Sequence, residues 1–315
     1  MANANFDNIV ATTLKAYFAP GGKAVDNIFQ RTAVLDWIQK SAKISTQGGA
    51  TAVAPIMNVI NSTFQTYSGY DALTPAHGQE IITAAEYAWK QAAIFIPMSG
   101  IEAAKNSGDK AIVNLLKAKT ENAERTAAEQ FETMLLTYDG TENSGKGWGG
   151  LPLLVGDENS SVTTVGGIDA TTDTYWRSEV TSTAAMTLPL LSAKYNIVSY
   201  GADSCDFQVT TRALWEKYEG LLQPLQRFSD SKTAEAGFTN LLHRGSKVVW
   251  SDIMPTGLWY NLNSRHVKLA VLSGKWMDFR GFVEPYDRDA KYGLITNYGA
   301  FITDERRKLA VSTYT

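Results

Sequence analysis

The spacing of apolar and polar positions predicts one dominant helix, from Asp109 to Leu136. Ile112, Leu116, Ala123, Ala127, Phe131 and Met134 recur at three-, four- and seven-residue steps, which puts them on one stripe of a helix. Lys117, Glu121, Glu124, Arg125, Glu129 and Glu132 are expected on the opposite, polar face. Asn106-Ser107-Gly108 breaks whatever precedes it, Asp109 is suited to cap the first turn, and no Pro or Gly follows until Gly140. At about 1.5 Å per residue the helix is roughly 40 Å long, more than a small domain needs. It is either an ordinary long core helix or a strut crossing an elongated subunit.

Residues 1–43 read as an arm with one or two short helices. Leu14, Tyr17 and Phe18 precede a break at Pro20-Gly21-Gly22. Val25 to Ile38 then predicts an amphipathic helix carrying Ile28, Phe29, Val34, Leu35, Trp37 and Ile38. Such a helix has little of its own to pack on and is expected to dock elsewhere.

Residues 44–98 change character. Ala50 to Ile60 is strand-like and rich in Val, Ile and Thr; a polar, aromatic stretch follows from Asn61 to Asp71. Turn residues Pro75, His77 and Gly78 lead into a second strand-like run, Glu80 to Met98. The pattern is a long two-stranded excursion. A lone hairpin is marginally stable in water, so it folds back on the body or lies on another molecule. Its polar, aromatic tip would make a poor core and favours the second.

Beyond the helix, Gly140 to Gly150 reads as a Gly-rich connector, and residues 156–180 as an extended surface connector without regular structure before Tyr175-Trp176-Arg177. An α/β rhythm occupies 181–277. Thr183–Ile197 and Thr211–Leu222 are helices, the second stopped near Pro224. Phe207–Thr210, Val248–Trp250, Leu258–Tyr260 and Val267–Leu272 are strands. Tyr292–Ile302 and Lys308–Tyr314 return to strand.

Composition narrows the function. The 315 residues bury a sizeable core, and a formal net charge of −3 offers no field to draw the whole chain to nucleic acid. The arm's excess of cations, five Lys/Arg against three Asp, is too small for a nucleic-acid arm. A single cysteine, Cys205, excludes an intramolecular disulfide and suits a reducing compartment. MANANFDNIV is not expected to be a secretory signal, and the longest apolar run, about Ala92 to Met98, is far short of a membrane span.

No motif carries catalysis. Gly140-Thr141-Glu142-Asn143-Ser144-Gly145-Lys146 has the spacing of a phosphate loop, but Gly147 stands where Ser or Thr should hold Mg²⁺, and the loop follows a helix rather than a strand. His77, His243 and His266 lie in separate segments with no metal-ligand spacing. Cys205 is expected to be a structural thiol, and Asp287-Arg288-Asp289 a solvated turn. No cofactor and no metal are expected.

Certain segments in this order carry a resemblance. They are Ala85-Glu86-Tyr87-Ala88-Trp89-Lys90-Gln91, Ser99-Gly100-Ile101-Glu102 with Asn106-Ser107-Gly108, and Thr174-Tyr175-Trp176-Arg177. Val209-Thr210-Thr211 leading to Tyr218-Glu219-Gly220-Leu221-Leu222-Gln223-Pro224 completes the set. From about residue 12 to 312 the chain resembles the major capsid proteins of tailed bacteriophages, whose fold is shared with the floor of herpesvirus shells and with encapsulins.

The resemblance implies an α+β capsid fold. Residues 1–43 would be the N-terminal arm and 44–98 the extended loop. Residues 99–180 with 279–315 would form the peripheral domain around a spine helix at about 109–136, and 181–278 the axial domain. It implies a structural, non-enzymatic role: self-assembly into hexamers and pentamers that close an icosahedral head around double-stranded DNA held non-specifically. Phe64, Tyr67, Tyr70 and Asp71 at the loop tip would contact a neighbouring subunit, with Tyr87, Trp89 and Lys90 supporting the loop's base. Implied partners are copies of the same chain, a separate scaffolding protein (only about 43 residues precede the loop), a portal and decoration proteins, but no membrane. The implied location is the virion, after assembly in the bacterial cytoplasm. Some family members join loop and peripheral domain by a Lys–Asn bond. The loop's only lysine is Lys90, at its base, so no such cross-link is expected. An encapsulin-like compartment and a soluble α/β enzyme are the alternatives.

Overall fold

The computed structural model describes residues 32–73, 81–105, 112–183, 185–201, 203–222 and 241–314. Arm residues 1–31, the turn at Pro75, His77 and Gly78, the Asp109 cap and the stop at Pro224 lie outside them. The chain divides into two units, one holding 93–130 and 277–296, the other 32–92, 131–276 and 297–315.

The larger unit begins with α1 (Ala33–Ser41), whose Val34, Leu35 and Ile38 are buried. The helix docks on its own chain: Trp37 stacks on Phe207 with ring centroids 4.4 Å apart. Next comes β1 (Lys43–Thr46), which runs parallel to β12 (Val267–Leu272). Strand β12 in turn is antiparallel to the second half of β14 (Ala290–Thr303). The hairpin strands are β2 (Thr51–Met57) and β3 (Ile82–Ala88), paired from Thr51–Ala88 to Met57–Ile82.

The run Glu80–Met98 is therefore not one strand. It breaks at Trp89, and β4 (Lys90–Ser99) joins β14 instead of the hairpin. The inward-facing phase changes there, from odd positions (Ala85, Tyr87) before Trp89 to even ones (Ile94, Ile96) after it, and the consecutive polar pair Lys90-Gln91 marks the break in the sequence.

The main sheet of this unit has six strands, in the order β7 (Glu179–Thr183), β15 (Ala310–Tyr314), β11 (Leu258–Leu262), β8 (Phe207–Thr210), β10 (Ser246–Trp250) and β9 (Leu241–His243). Strand β15, almost at the end of the chain, thus lies inside this sheet. Helices α5 (Leu188–Val198) and α6 (Arg212–Leu222) cover it with Leu191, Leu214 and Tyr218, against Val248, Trp259 and Tyr314. Thr187 caps α5 by accepting from the Leu190 N–H.

In the smaller unit, β13 (Asp278–Val283) pairs antiparallel with the first half of β14. A compact core of Ile96, Ala123 and Ile295 is flanked by Ile94, Met277 and Phe282. Helix α2 (Gly100–Lys105) starts at Gly100, whose N–H donates to the Asp289 carbonyl. A side chain at Gly100 would collide with the Asp289 carboxylate.

The dominant helix, α3, spans Ile112–Thr137. Ala123, Ala127 and Phe131 are buried as the stripe requires, and Glu121, Glu124 and Arg125 are exposed. Glu132 departs from the expected polar face and is fully buried. Near its C-terminal end the helix is enclosed on a second side, where Glu132 meets α1.

The segment 156–180 is not a surface connector. Short strands β5 (Thr164–Val165) and β6 (Ile168–Asp169) form a tight hairpin, and Val165, Ile168, Ala170 and Trp176 are buried. The Trp176 indole donates to the Val165 carbonyl at 2.9 Å. Two-residue strands are too short to show a period. The short helix α4 (Leu151–Leu154) precedes this hairpin.

Candidate functional site

The hairpin is fixed at its base by bonds from β3 and from the two residues that follow it. Along β2, Ala52, Ala54 and Ile56 point inward, while Val53 and Met57 face out. Opposite them, Ala85 and Tyr87 of β3 are buried. The Tyr87 hydroxyl donates to the Thr303 carbonyl at 2.8 Å, which anchors β3 to the end of β14. Burial pushes its pKa well above the ordinary phenol value, so the hydroxyl keeps its proton. The β5–β6 turn clasps the other flank: the Gly166 carbonyl accepts from the Glu86 N–H at 2.9 Å. Gly166 has φ +64°, and a Cβ there would lie 2.7 Å from the Ala85 methyl. Trp89 donates from its indole to the Gly49 carbonyl at 2.9 Å, and Lys90 donates to the Gly145 carbonyl.

The far end of the hairpin has a different character. Phe64, Tyr67 and Tyr70 are 85%, 66% and 107% exposed. Met57, Ile60 and Ile82 are exposed beside them in sequence or across the pair. Asp71 shapes the tip: its carboxylate accepts from the Ser68 N–H at 2.8 Å, and its own N–H donates to the Ser68 carbonyl. The seven residues singled out in the sequence thus fall into two groups. Asp71, Tyr87, Trp89 and Lys90 bond to the chain's own backbone, whereas Phe64, Tyr67 and Tyr70 leave large apolar areas open to water.

Neither the clasp by Gly166 nor the burial of Arg306 follows from the sequence pattern. Arg306 is fully buried and donates to the carbonyls of Leu154, Trp176 and Leu153, at 2.9, 3.1 and 3.3 Å. Burial lowers its pKa to about 10, so the guanidinium remains charged at neutral pH. A cation in a run of charges (Glu305-Arg306-Arg307-Lys308) reads as surface, and nothing in the sequence separates Arg306 from its neighbours.

The other candidate residues are engaged structurally. In the loop from Gly140 to Lys146, the Glu142 carboxylate accepts from the N–H groups of Asp139 and Gly140, at 2.9 and 3.0 Å. Those amides are spent on the protein's own anion, whereas a phosphate cradle presents them to a ligand. Cys205 is buried with its thiol on the Phe207 carbonyl, and burial pushes its pKa up to about 11. His243 is buried against Gln208, and burial lowers its pKa. Among the described residues no group of three or more His, Cys, Asp or Glu side chains is placed to hold a metal ion, and no helix is long and apolar enough to cross a membrane.

No family model and no curated protein matches the chain. Solved structures do. The cyanophage A-1(L) capsid asymmetric unit aligns with a TM-score of 0.68 at 15% identity, over 92% of this chain and 94% of its own. The fold is that of a bacteriophage capsid protein. A native GTA particle capsid aligns with a TM-score of 0.60 at 12% identity, over 95% and 98% of the two chains. The same fold extends to the holo-SrpI encapsulin complex from Synechococcus elongatus PCC 7942, with a TM-score of 0.59, 12% identity and coverage of 95% and 94%. The likeness expected from the ordered sequence segments is therefore met at the level of fold. In this fold the hairpin is anchored at its base, while Phe64, Tyr67 and Tyr70 at its far end are exposed.

Proposed function

We propose that this chain is a structural shell subunit whose work is assembly rather than catalysis. The observation that carries the reading is the hairpin: a base bonded to its own body, and an end that exposes Phe64, Tyr67 and Tyr70 to water. Burying those rings against another copy recovers hydrophobic free energy that the isolated chain forgoes. The capsid fold supports the same reading. On it, residues 44–98 act as the extended loop, 99–180 with 279–315 as the peripheral domain and 181–278 as the axial domain, the last two sharing one sheet through the pairing of β15 with β11.

Copies close into hexamers and pentamers of an icosahedral head. Each loop lies on the next subunit in a head-to-tail contact that closes by rotation. Individual contacts are weak, and a subunit already held at one contact meets the next at high effective concentration. Double-stranded DNA is enclosed by confinement, consistent with a net charge of only −3. Scaffolding, portal and decoration proteins are the expected accessories, and assembly takes place in the host cytoplasm. Lys90 is committed to the Gly145 carbonyl, so subunits of mature particles should run as single 34.4 kDa chains on a denaturing gel.

The encapsulin neighbour favours a second reading, a compartment that holds protein cargo. Electron microscopy of the purified full chain beside size-exclusion chromatography tests the first. Closed shells, or rings of five and six, are expected, and their contents separate the two readings: DNA for a head, protein for a compartment. A chain that stays monomeric even with a scaffold supplied would overturn both.

A further inference from the structure

In the larger unit, outside the hairpin, charged groups converge on His266. Its Nδ1 lies 2.7 Å from an Asp304 carboxylate oxygen, and its Nε2 lies 2.7 Å from one of Asp203. A neutral imidazole has one N–H to donate and would turn a lone pair toward one of these oxygens. The geometry therefore calls for imidazolium, bonded at both nitrogens. We propose that His266 is a proton-dependent latch, which ties the loop after α5 through Asp203 to the end of β14 through Asp304.

The other charged groups around it come from every neighbouring segment. Glu305 approaches Nε2 at 3.8 Å. Lys268 of β12 pairs with Asp304. Lys308 and the largely exposed Arg265 lie 3.9 and 3.5 Å from Asp203. Asn263 donates to Asp203 at 2.9 Å. The two carboxylates keep these partners when the ring is neutral, so loss of the proton loosens the latch without dissolving the cluster.

Burial alone would discharge the ring. The hydrogen bonds to Asp304 and Asp203 and the charges of Asp304 and Glu305 outweigh it, and the His266 pKa is raised above the ordinary 6.5. The stabilisation is thus complete below pH 6.5 and is lost as pH rises through the folded-state value. The loop so released carries Tyr200, an exposed aromatic whose N–H donates to the Asp203 carbonyl.

Two measurements on the unassembled full chain decide the matter. Imidazole titration by NMR, with only three histidines to assign, should place His266 above 6.5. D203N should lower that value by about one unit, because it removes one of the two anions. Hydrogen exchange at the Tyr200 and Asp203 amides, corrected for intrinsic rates, should then rise about tenfold between pH 6 and pH 9 in the native chain, and not in H266Q. A His266 that titrates at or below 6.5 would overturn the latch, and so would exchange that follows intrinsic chemistry alone. D203N carries the test if H266Q does not fold.

Discussion

Glu132 Oε2 lies 2.7 Å from the backbone nitrogen of Leu35, 97 positions earlier in the chain. Its other oxygen accepts from the Val34 N–H at 3.3 Å. These are amides of the first turn of α1, which have no partner inside their own helix. A residue of α3 thus does for α1 what an N-cap does locally, and the negative charge suits the helix end. This docks the short apolar helix on its own chain.

The same contact predicts a pH dependence. Burial, countered by the hydrogen bonds from Leu35 and Val34, raises the Glu132 pKa from 4.5 to about 7. Between those values the folded chain binds more protons than the unfolded chain, so stability falls as pH rises from 4.5 to 7 and levels off above. The linkage amounts to roughly 3 kcal/mol. Urea unfolding of the unassembled chain and of E132Q across this range should show a difference that moves by 1–3 kcal/mol in favour of the native chain at the acid end. A constant difference would remove Glu132 as its source.

Many elements were legible because their apolar residues form either a helical stripe or a short run bounded by polar and turn residues. Phe207–Thr210, Val267–Leu272 and the body of α3 all stand where apolar spacing puts them. What was not legible has a common cause. Glu132, Arg306 and Gly166 act on residues 97, 152 and 80 or so positions away, and each looks ordinary in its own neighbourhood. A buried charge satisfied by distant backbone groups has the same sequence appearance as a solvated one. The hairpin tip was legible for the converse reason: aromatic residues among Ser, Thr and Gly match no core pattern.

Arg306 gives a second prediction. Its planar fork satisfies three carbonyls at once, two of them from the last turn of α4. Lysine at this position cannot reproduce the fork, and leaves buried acceptors unpaired at a cost of about 1–3 kcal/mol each. R306K should therefore lower unfolding stability by on the order of 3 kcal/mol, read as a shift in urea midpoint at unchanged slope. A change below about 0.5 kcal/mol would show that water replaces the lost donors.

A pair of glycine substitutions isolates the clasp on the hairpin. Gly166 and Gly167 both have positive φ, +64° and +81°. Alanine at Gly167 meets nothing within 4 Å and bears only the backbone cost, whereas alanine at Gly166 also collides with Ala85. G166A should be the more destabilising by about 1–2 kcal/mol, and should raise hydrogen exchange at Glu86, whose N–H bonds the Gly166 carbonyl. Equal effects would mean that the turn does not hold β3.

The tip residues separate stability from assembly. Phe64, Tyr67 and Tyr70 bury little in their own chain, so replacing all three by serine should change the unfolding free energy of the unassembled chain by no more than about 0.5 kcal/mol per site. The same change removes the apolar area offered to a neighbour, and shells or rings should fail to form at concentrations where the native chain assembles. Y87F, at the base, should behave in the opposite sense. It forfeits the bond to the Thr303 carbonyl and about 1 kcal/mol of stability, yet leaves the tip chemistry intact. Size-exclusion chromatography and electron microscopy beside urea unfolding read both outcomes. Normal assembly by the triple serine variant would show that the hairpin end is not the contact between subunits.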